Sequence, residues 1–188
     1  MNKQTLHLVI PAVLSLLILA GMISVAPWQY QREAVLAGSY WLFLSANVAH
    51  LNWPHALLNL TALGCLTVLH WRYYRPFQLL ALLFVCGLST TIGLFALEPD
   101  IENYAGLSGV LHGLLAWGAL QDIRIRQYTG WLLLLALILK LSMEIVFGPS
   151  ETTASMISAP VIHTAHSYGA LAGCLVFVIQ TAINKARD

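Results

Sequence analysis

The sequence predicts an all-α membrane protein, a bundle of six spanning helices with a first loop lying at the lipid–water interface. Three observations carry that expectation. Of 188 residues, 59% are hydrophobic and only 9% charged, where a soluble domain carries about 25% charged residues. The apolar residues gather in six stretches near the length that crosses a bilayer, about 20 residues. The segment between the first and second stretch is instead rich in Trp and Tyr, which suit the headgroup level. A chain of this length makes one membrane domain, residues 1–188, with no room for a second fold. Its net charge of +1 points to no partner beyond the bilayer, and no basic patch marks a nucleic-acid surface. Cys65, Cys86 and Cys174 all fall in apolar segments. An odd count in such positions fits packing residues rather than a disulfide framework.

The first span covers about 6–26, behind a head carrying Lys3. The same pattern could be read as a signal peptide, but the later spans make it an ordinary first helix. Residues 27–53 hold Trp28, Tyr30, Tyr40, Trp41, Phe43 and Trp53, and a partly embedded loop with short helical pieces is expected there. The second span, 54–70, opens on Pro54, which fits a first helical turn because its missing N–H is not needed there. The third, 77–97, ends in the acidic turn Glu98-Pro99-Asp100-Ile101-Glu102. The fourth covers 106–120 and the fifth 131–147, closed by Gly148-Pro149. Residues 150–158 read as a polar loop before the sixth span, 159–183.

Charge sets the orientation. Lys3, Arg72, Arg75, Arg124, Arg126, Lys185 and Arg187 fall on one side if the spans alternate, and only Arg32 falls on the other. Positive loops stay cytoplasmic, so both termini are expected inside and the acidic turn outside.

Polar residues inside the spans then need a reason. Ser108 sits in Gly106-Leu107-Ser108-Gly109-Val110-Leu111-His112-Gly113, at the outer end of the fourth span. Taken alone, this is a helix-packing motif, since small residues let helices approach closely in lipid. Val110 also stands where the hydrolase nucleophile elbow has its second glycine. A serine nucleophile needs a base. His166, in the sixth span at a comparable depth, supplies one, with Gly169 and Gly173 on its face. An ionisable group inside a span marks function by default. His163 is nearer the loop and off that face, and reads as interfacial. His112 shares a helix face with Ser108, four residues on. It could reach the serine or pack against His166, and a supporting role is assigned.

Acyl transfer also needs donors for a developing oxyanion. His55 and Asn59, four apart at the outer end of the second span, can both donate, and the Ser108 N–H could be a third. The alternative is a polar patch tying the loop to the helix, the stronger reading for His50. Three spans thus bring polar groups to one depth. No carboxylate reads as a third member, because Glu98, Asp100, Glu102 and Glu151 sit in a turn or loop. A Ser–His dyad is therefore expected. Lys140 and Glu144 form an i, i+4 pair read as mutually neutralising within the bundle, or as lining a polar pocket. No metal or cofactor is expected, since the histidines lie on separate spans without a ligand spacing.

These residues resemble the rhomboid intramembrane serine proteases: His50-x4-His55-x3-Asn59, then Gly106-x-Ser108-Gly109, then His166-x2-Gly169-x3-Gly173, in the family's order and across essentially the whole chain. The resemblance implies a six-helix rhomboid-like bundle with its first loop in the outer leaflet. It implies Ser108 as nucleophile, His166 as base, and His55 with Asn59 at the oxyanion. Two departures stand out. The family's Trp-Arg pair in the first loop is here Trp41-Leu42, and the aromatic that stacks on the catalytic histidine is here His112. The compact chain, the Ser-Gly-Val-Leu-His-Gly run and the Lys140/Glu144 pair look most like the rhombosortase branch. That branch implies a bacterial inner-membrane enzyme that removes Gly-Gly-type C-terminal transmembrane anchors from exported proteins. The rivals are an inactive rhomboid-like binder of membrane clients, and a small transporter using Lys140, Glu144 and the histidines as a proton path.

Overall fold

The computed structural model describes the backbone of residues 3–22 and 24–186 and, apart from residues 3–8 and 76, their side chains. Of the charges that set the expected orientation, the Lys3 side chain and Arg187 lie outside the described residues. Six helices of 17 to 22 residues dominate: α1 (Lys3–Gly21), α4 (Trp53–His70), α5 (Pro76–Leu97), α6 (Ser108–Arg124), α7 (Tyr128–Phe147) and α9 (Thr164–Lys185). Among the described residues, three of them are long and apolar enough to cross a membrane: Phe77–Leu97, Tyr128–Phe147 and Thr164–Lys185.

The other elements are short. After α1 the chain forms a two-residue strand, β1 (Tyr30–Gln31), then α2 (Arg32–Leu36) and α3 (Leu42–Ser45). β1 pairs antiparallel with β2 (Asn103–Tyr104), a ladder the sequence pattern does not announce. Residues 150–158, expected as a loop, contain α8 (Glu151–Ile157). Its start is a local signal: the Ser150 hydroxyl caps the Thr153 N–H, a serine's usual role at a helix start. Ser158, at φ +56°, closes it.

α6 lies at the centre, packed on α4, α5, α7 and α9. Its closest neighbour is α9. A Cβ at Gly169 or Gly173 would collide with the carbonyl oxygens of Gly109 and Gly113 respectively. The two small-xxx-small pairs therefore face one another, backbone on backbone, as close helix crossings in lipid require. This contact sets the separation between the side chains that flank it, Ser108 on α6 and His166 on α9.

The first loop is tied down without a Trp-Arg pair. Arg32 does that work: its guanidinium donates to the carbonyl oxygens of Phe95 (2.9 Å) and Glu98 (3.3 Å) and stacks over the Phe95 ring. A cation at a helix C-terminus satisfies orphan carbonyls and the helix dipole together. That contact accounts for the one arginine on the expected outer side. Thr91 adds a second tie, donating from α5 to the Phe43 carbonyl at 2.6 Å.

Candidate functional site

The site begins with how Ser108 is presented. Tyr104 ends β2, and its buried hydroxyl donates to the Gly106 carbonyl at 2.9 Å. Burial pushes the Tyr104 phenol up to about 12, against hydrogen bonds from Ser108 and Gly109 that pull the other way. It therefore stays protonated as a donor. Gly106 has φ +138° and donates its N–H to the Ala46 carbonyl of the first loop at 3.0 Å. A Cβ there would sit 2.8 Å from His55 Nε2, so glycine is required for both space and conformation. The turn delivers Ser108 as the first residue of α6. The first N–H groups of a helix have no intrahelical acceptor, so donors and a hydroxyl stand together there.

His166, in the first turn of α9, brings Nε2 to 3.0 Å from Ser108 Oγ. The sequence pairing of these two residues thus corresponds to a hydrogen bond in the structure. His112 does not compete for the hydroxyl. Its Nδ1 lies 2.6 Å from the backbone carbonyl of Ser108, where a ring N–H donates. Its ring stacks on His166, with centroids 4.2 Å apart and planes 15° apart. His112 therefore occupies the place of a stacking aromatic, one of the two arrangements open to it from the sequence.

α4 supplies the opposite wall. The Asn52 side chain accepts the His55 N–H at 2.9 Å, and Pro54 occupies the first turn, so the helix start is fixed two residues before His55. His50, buried just before the helix, has Nδ1 3.1 Å from the Val48 carbonyl and Nε2 2.9 Å from Asn59 Nδ2. One tautomer satisfies both contacts: Nδ1–H donates to Val48, and bare Nε2 accepts from Asn59. Burial holds His50 down near 4, which keeps it neutral for this role. His50 thereby turns the Asn59 amide so that its NH₂ lies toward Gly106, while the His55 ring packs edge-on against His50 at 4.8 Å. His50 ties the loop at Val48 to Asn59 of α4 and so supports His55 and Asn59 from beneath. His163 precedes α9 and does not reach the cavity.

All these groups open on one cavity of about 510 Å³, lined by His55, Asn59, Ser108, His112, Lys140 and His166 among mostly apolar neighbours. Lys140 leads to a group that sequence reasoning placed elsewhere. From the sequence, Glu144 reads as neutralising Lys140 or as lining a polar pocket with it. Its Oε1 does accept from Lys140 Nζ at 2.7 Å, but its Oε2 lies 2.9 Å from His166 Nδ1. A carboxylate thus stands on the far side of the histidine from the serine, where the sequence offered no third group. The i, i+4 spacing of Lys140 and Glu144 was visible. The approach of α7 to His166 was not, because it depends on how two helices far apart in sequence lean together. Among the described residues, no three His, Cys, Asp or Glu side chains gather as a metal-ligand set.

In a comparison with known families, the chain matches the rhomboid domain over residues 37–182, well over half of its length. A comparison with curated proteins gives no match.

Proposed function

Because the chain belongs to the rhomboid family of multi-pass intramembrane proteases, we propose that it is an active serine protease with Ser108 as nucleophile and His166 as base. The observation that carries this reading is the 3.0 Å contact between Ser108 Oγ and His166 Nε2, inside a cavity rather than against a helix wall.

The chemistry follows from the positions. A substrate segment enters from lipid and unwinds near small residues, where glycine makes unwinding easy. His166 Nε2 takes the hydroxyl proton as Ser108 Oγ bonds to the scissile carbonyl carbon. The carbonyl oxygen, now negative, accepts from His55, the Asn59 amide and the Ser108 N–H. Collapse breaks the C–N bond, and His166 gives its proton to the leaving amine. Water, losing a proton to His166, then attacks the ester carbon. The proton returns to Ser108 Oγ as the acid product leaves.

The substrates are transmembrane proteins. Within that class, the rhombosortase-like features point to exported bacterial proteins with a C-terminal Gly-Gly motif, a single membrane helix and a basic tail. All six long helices cross the bacterial inner membrane, both termini lie in the cytoplasm, and residues 1–188 form one domain. The cavity then faces the outer side, where such anchors emerge.

The test is cleavage of a Gly-Gly-tailed reporter in membranes. Ser108→Ala is expected to lower the rate by roughly 10⁴-fold or more, as loss of a nucleophile does. Cleavage persisting in that variant would sink the reading. So would failure of the folded wild-type protein to react at Ser108 with a fluorophosphonate, which would favour an inactive client binder.

A further inference from the structure

We propose that Glu144 is a positioning residue for His166, making the serine protease site a Ser108–His166–Glu144 chain. This rests on the protease reading above and adds a third member to it.

The geometry is sequential. Ser108 Oγ to His166 Nε2 is 3.0 Å, and His166 Nδ1 to Glu144 Oε2 is 2.9 Å, with Oε1 of the same carboxylate at 3.2 Å. A carboxylate only accepts, so Nδ1 carries the proton and Nε2 presents its lone pair to the serine hydroxyl. That is the tautomer a base needs. When His166 takes the serine proton it becomes a cation, and Glu144 lies in contact with it. The carboxylate therefore orients the ring beforehand and balances the charge that appears, the two tasks of the third member in serine hydrolase triads.

The simpler account is that Glu144 exists to neutralise Lys140. Exposure argues against it. The Lys140 side chain is 46% exposed, while Glu144 is 13% and His166 7% exposed. A long lysine side chain can bring its charged head to water by itself. An ionised carboxylate with no partner but a half-exposed lysine has no reason to turn inward, away from water. Here it turns inward and ends on an imidazole. Lys140 then has a secondary part: its Nζ, 2.7 Å from Oε1 and 3.5 Å from His166 Nδ1, holds the carboxylate in place at the cavity wall. His112 completes the restraint by stacking on the ring whose edge Glu144 holds.

The experiment uses the full chain in detergent or proteoliposomes. It reads reporter turnover and the rate at which a fluorophosphonate modifies Ser108. Glu144→Gln keeps the side-chain shape, but its NH₂ can donate to Nδ1 and select the wrong tautomer. It is expected to lower kcat and the labelling rate roughly 10²–10⁴-fold, with KM within about twofold because substrate contacts are untouched. Glu144→Asp is expected to recover about tenfold over Gln, since charge and acceptor return at a shorter reach. The decisive variant is the pair Lys140→Met with Glu144→Gln. If Glu144 only neutralises Lys140, removing both restores the wild-type rate. If it positions His166, the pair stays as slow as Glu144→Gln. The pair leaves no unmatched lysine, so it also carries the test should the single variant fail to fold. A Glu144→Gln protein within threefold of wild type, or recovery in the pair, overturns the inference while leaving Ser108 and His166 intact. Absence of Ser108 labelling in folded wild-type protein overturns the protease reading itself, and this inference with it.

Discussion

At the scale of single residues, His112 is the departure that most changes the site. An imidazole four residues after a serine has two uses, as a base or as a flat surface. The bond from its Nδ1 to the Ser108 carbonyl settles its orientation, and the parallel stack on His166 supplies its contact. Both fit a residue that holds His166 flat while leaving the Ser108 hydroxyl to His166. His112→Phe keeps a ring of similar size and loses only the hydrogen bond. Labelling of Ser108 in that variant is expected to fall by less than about tenfold. His166→Ala should lose the roughly 10²–10⁴-fold that a general base contributes. If His112→Phe is as inactive as His166→Ala, His112 is taking part in proton transfer. Measuring both labelling rates at one pH decides the matter.

Between elements, the α6–α9 crossing determines whether the site exists at all. Gly109 and Gly113 on one helix meet Gly169 and Gly173 on the other with no room for a Cβ. Gly169→Ala must push the helices apart or bend one of them. Overpacking commonly costs about 1–3 kcal/mol, and backbone rather than a flexible side chain opposes this methyl. A loss at the top of that range is expected, with Ser108 labelling lost in parallel because the contact to His166 lengthens. Gly64, on α4, has nothing within 4 Å of a Cβ position. Gly64→Ala should leave labelling unchanged and melt no lower than wild type. Thermal unfolding in detergent reads both; equal melting of Gly169→Ala and wild type would refute the role of the crossing.

The same crossing explains what could be read from the chain. Small residues at i, i+4 on two apolar stretches announce a close pair, and ionisable side chains within such stretches stand out because lipid excludes them. Ser108, His166, His55 and Asn59 were legible for that reason. Glu144 was equally visible, yet its partner was not. Lys140 offered a local match, and the competing match, to His166, depends on the tilt of α7 against the bundle. A Cβ at Gly130 would meet the backbone of Ala119 and Ile123, so α7 starts hard against the end of α6. Spacing within one helix does not encode where that lean carries Glu144, some four turns further on. The β1–β2 ladder and the Arg32 contact escaped for a related cause, since each joins a loop to a segment more than 60 residues away.

Across the whole molecule, the two ends of α6 differ in charge and in chemistry. At the Ser108 end the cavity is bordered by Asp100, Glu102 and α8. At the Arg124 end a separate polar cavity of about 550 Å³ is bordered by Arg72, Arg75 and Arg124. There Asp122, buried, accepts from the Tyr73 hydroxyl and from Thr129 at 3.2 Å, which binds the turn after α4 and the start of α7 to the end of α6. Positive residues are held back from export, which is the ground for the proposed orientation, with the arginine end toward the cytoplasm and the serine end outward. The three native cysteines lie within helices α4, α5 and α9, away from either aqueous end. A cysteine placed at Asp100 should therefore react with a charged, membrane-impermeant maleimide in intact cells, and one placed at Arg126 only after permeabilisation. The reverse pattern would put Ser108 on the cytoplasmic side. It could not then release anchors from proteins already exported, and the substrate class would have to be sought among cytoplasmic-facing membrane proteins, even if Ser108 proved to be the nucleophile.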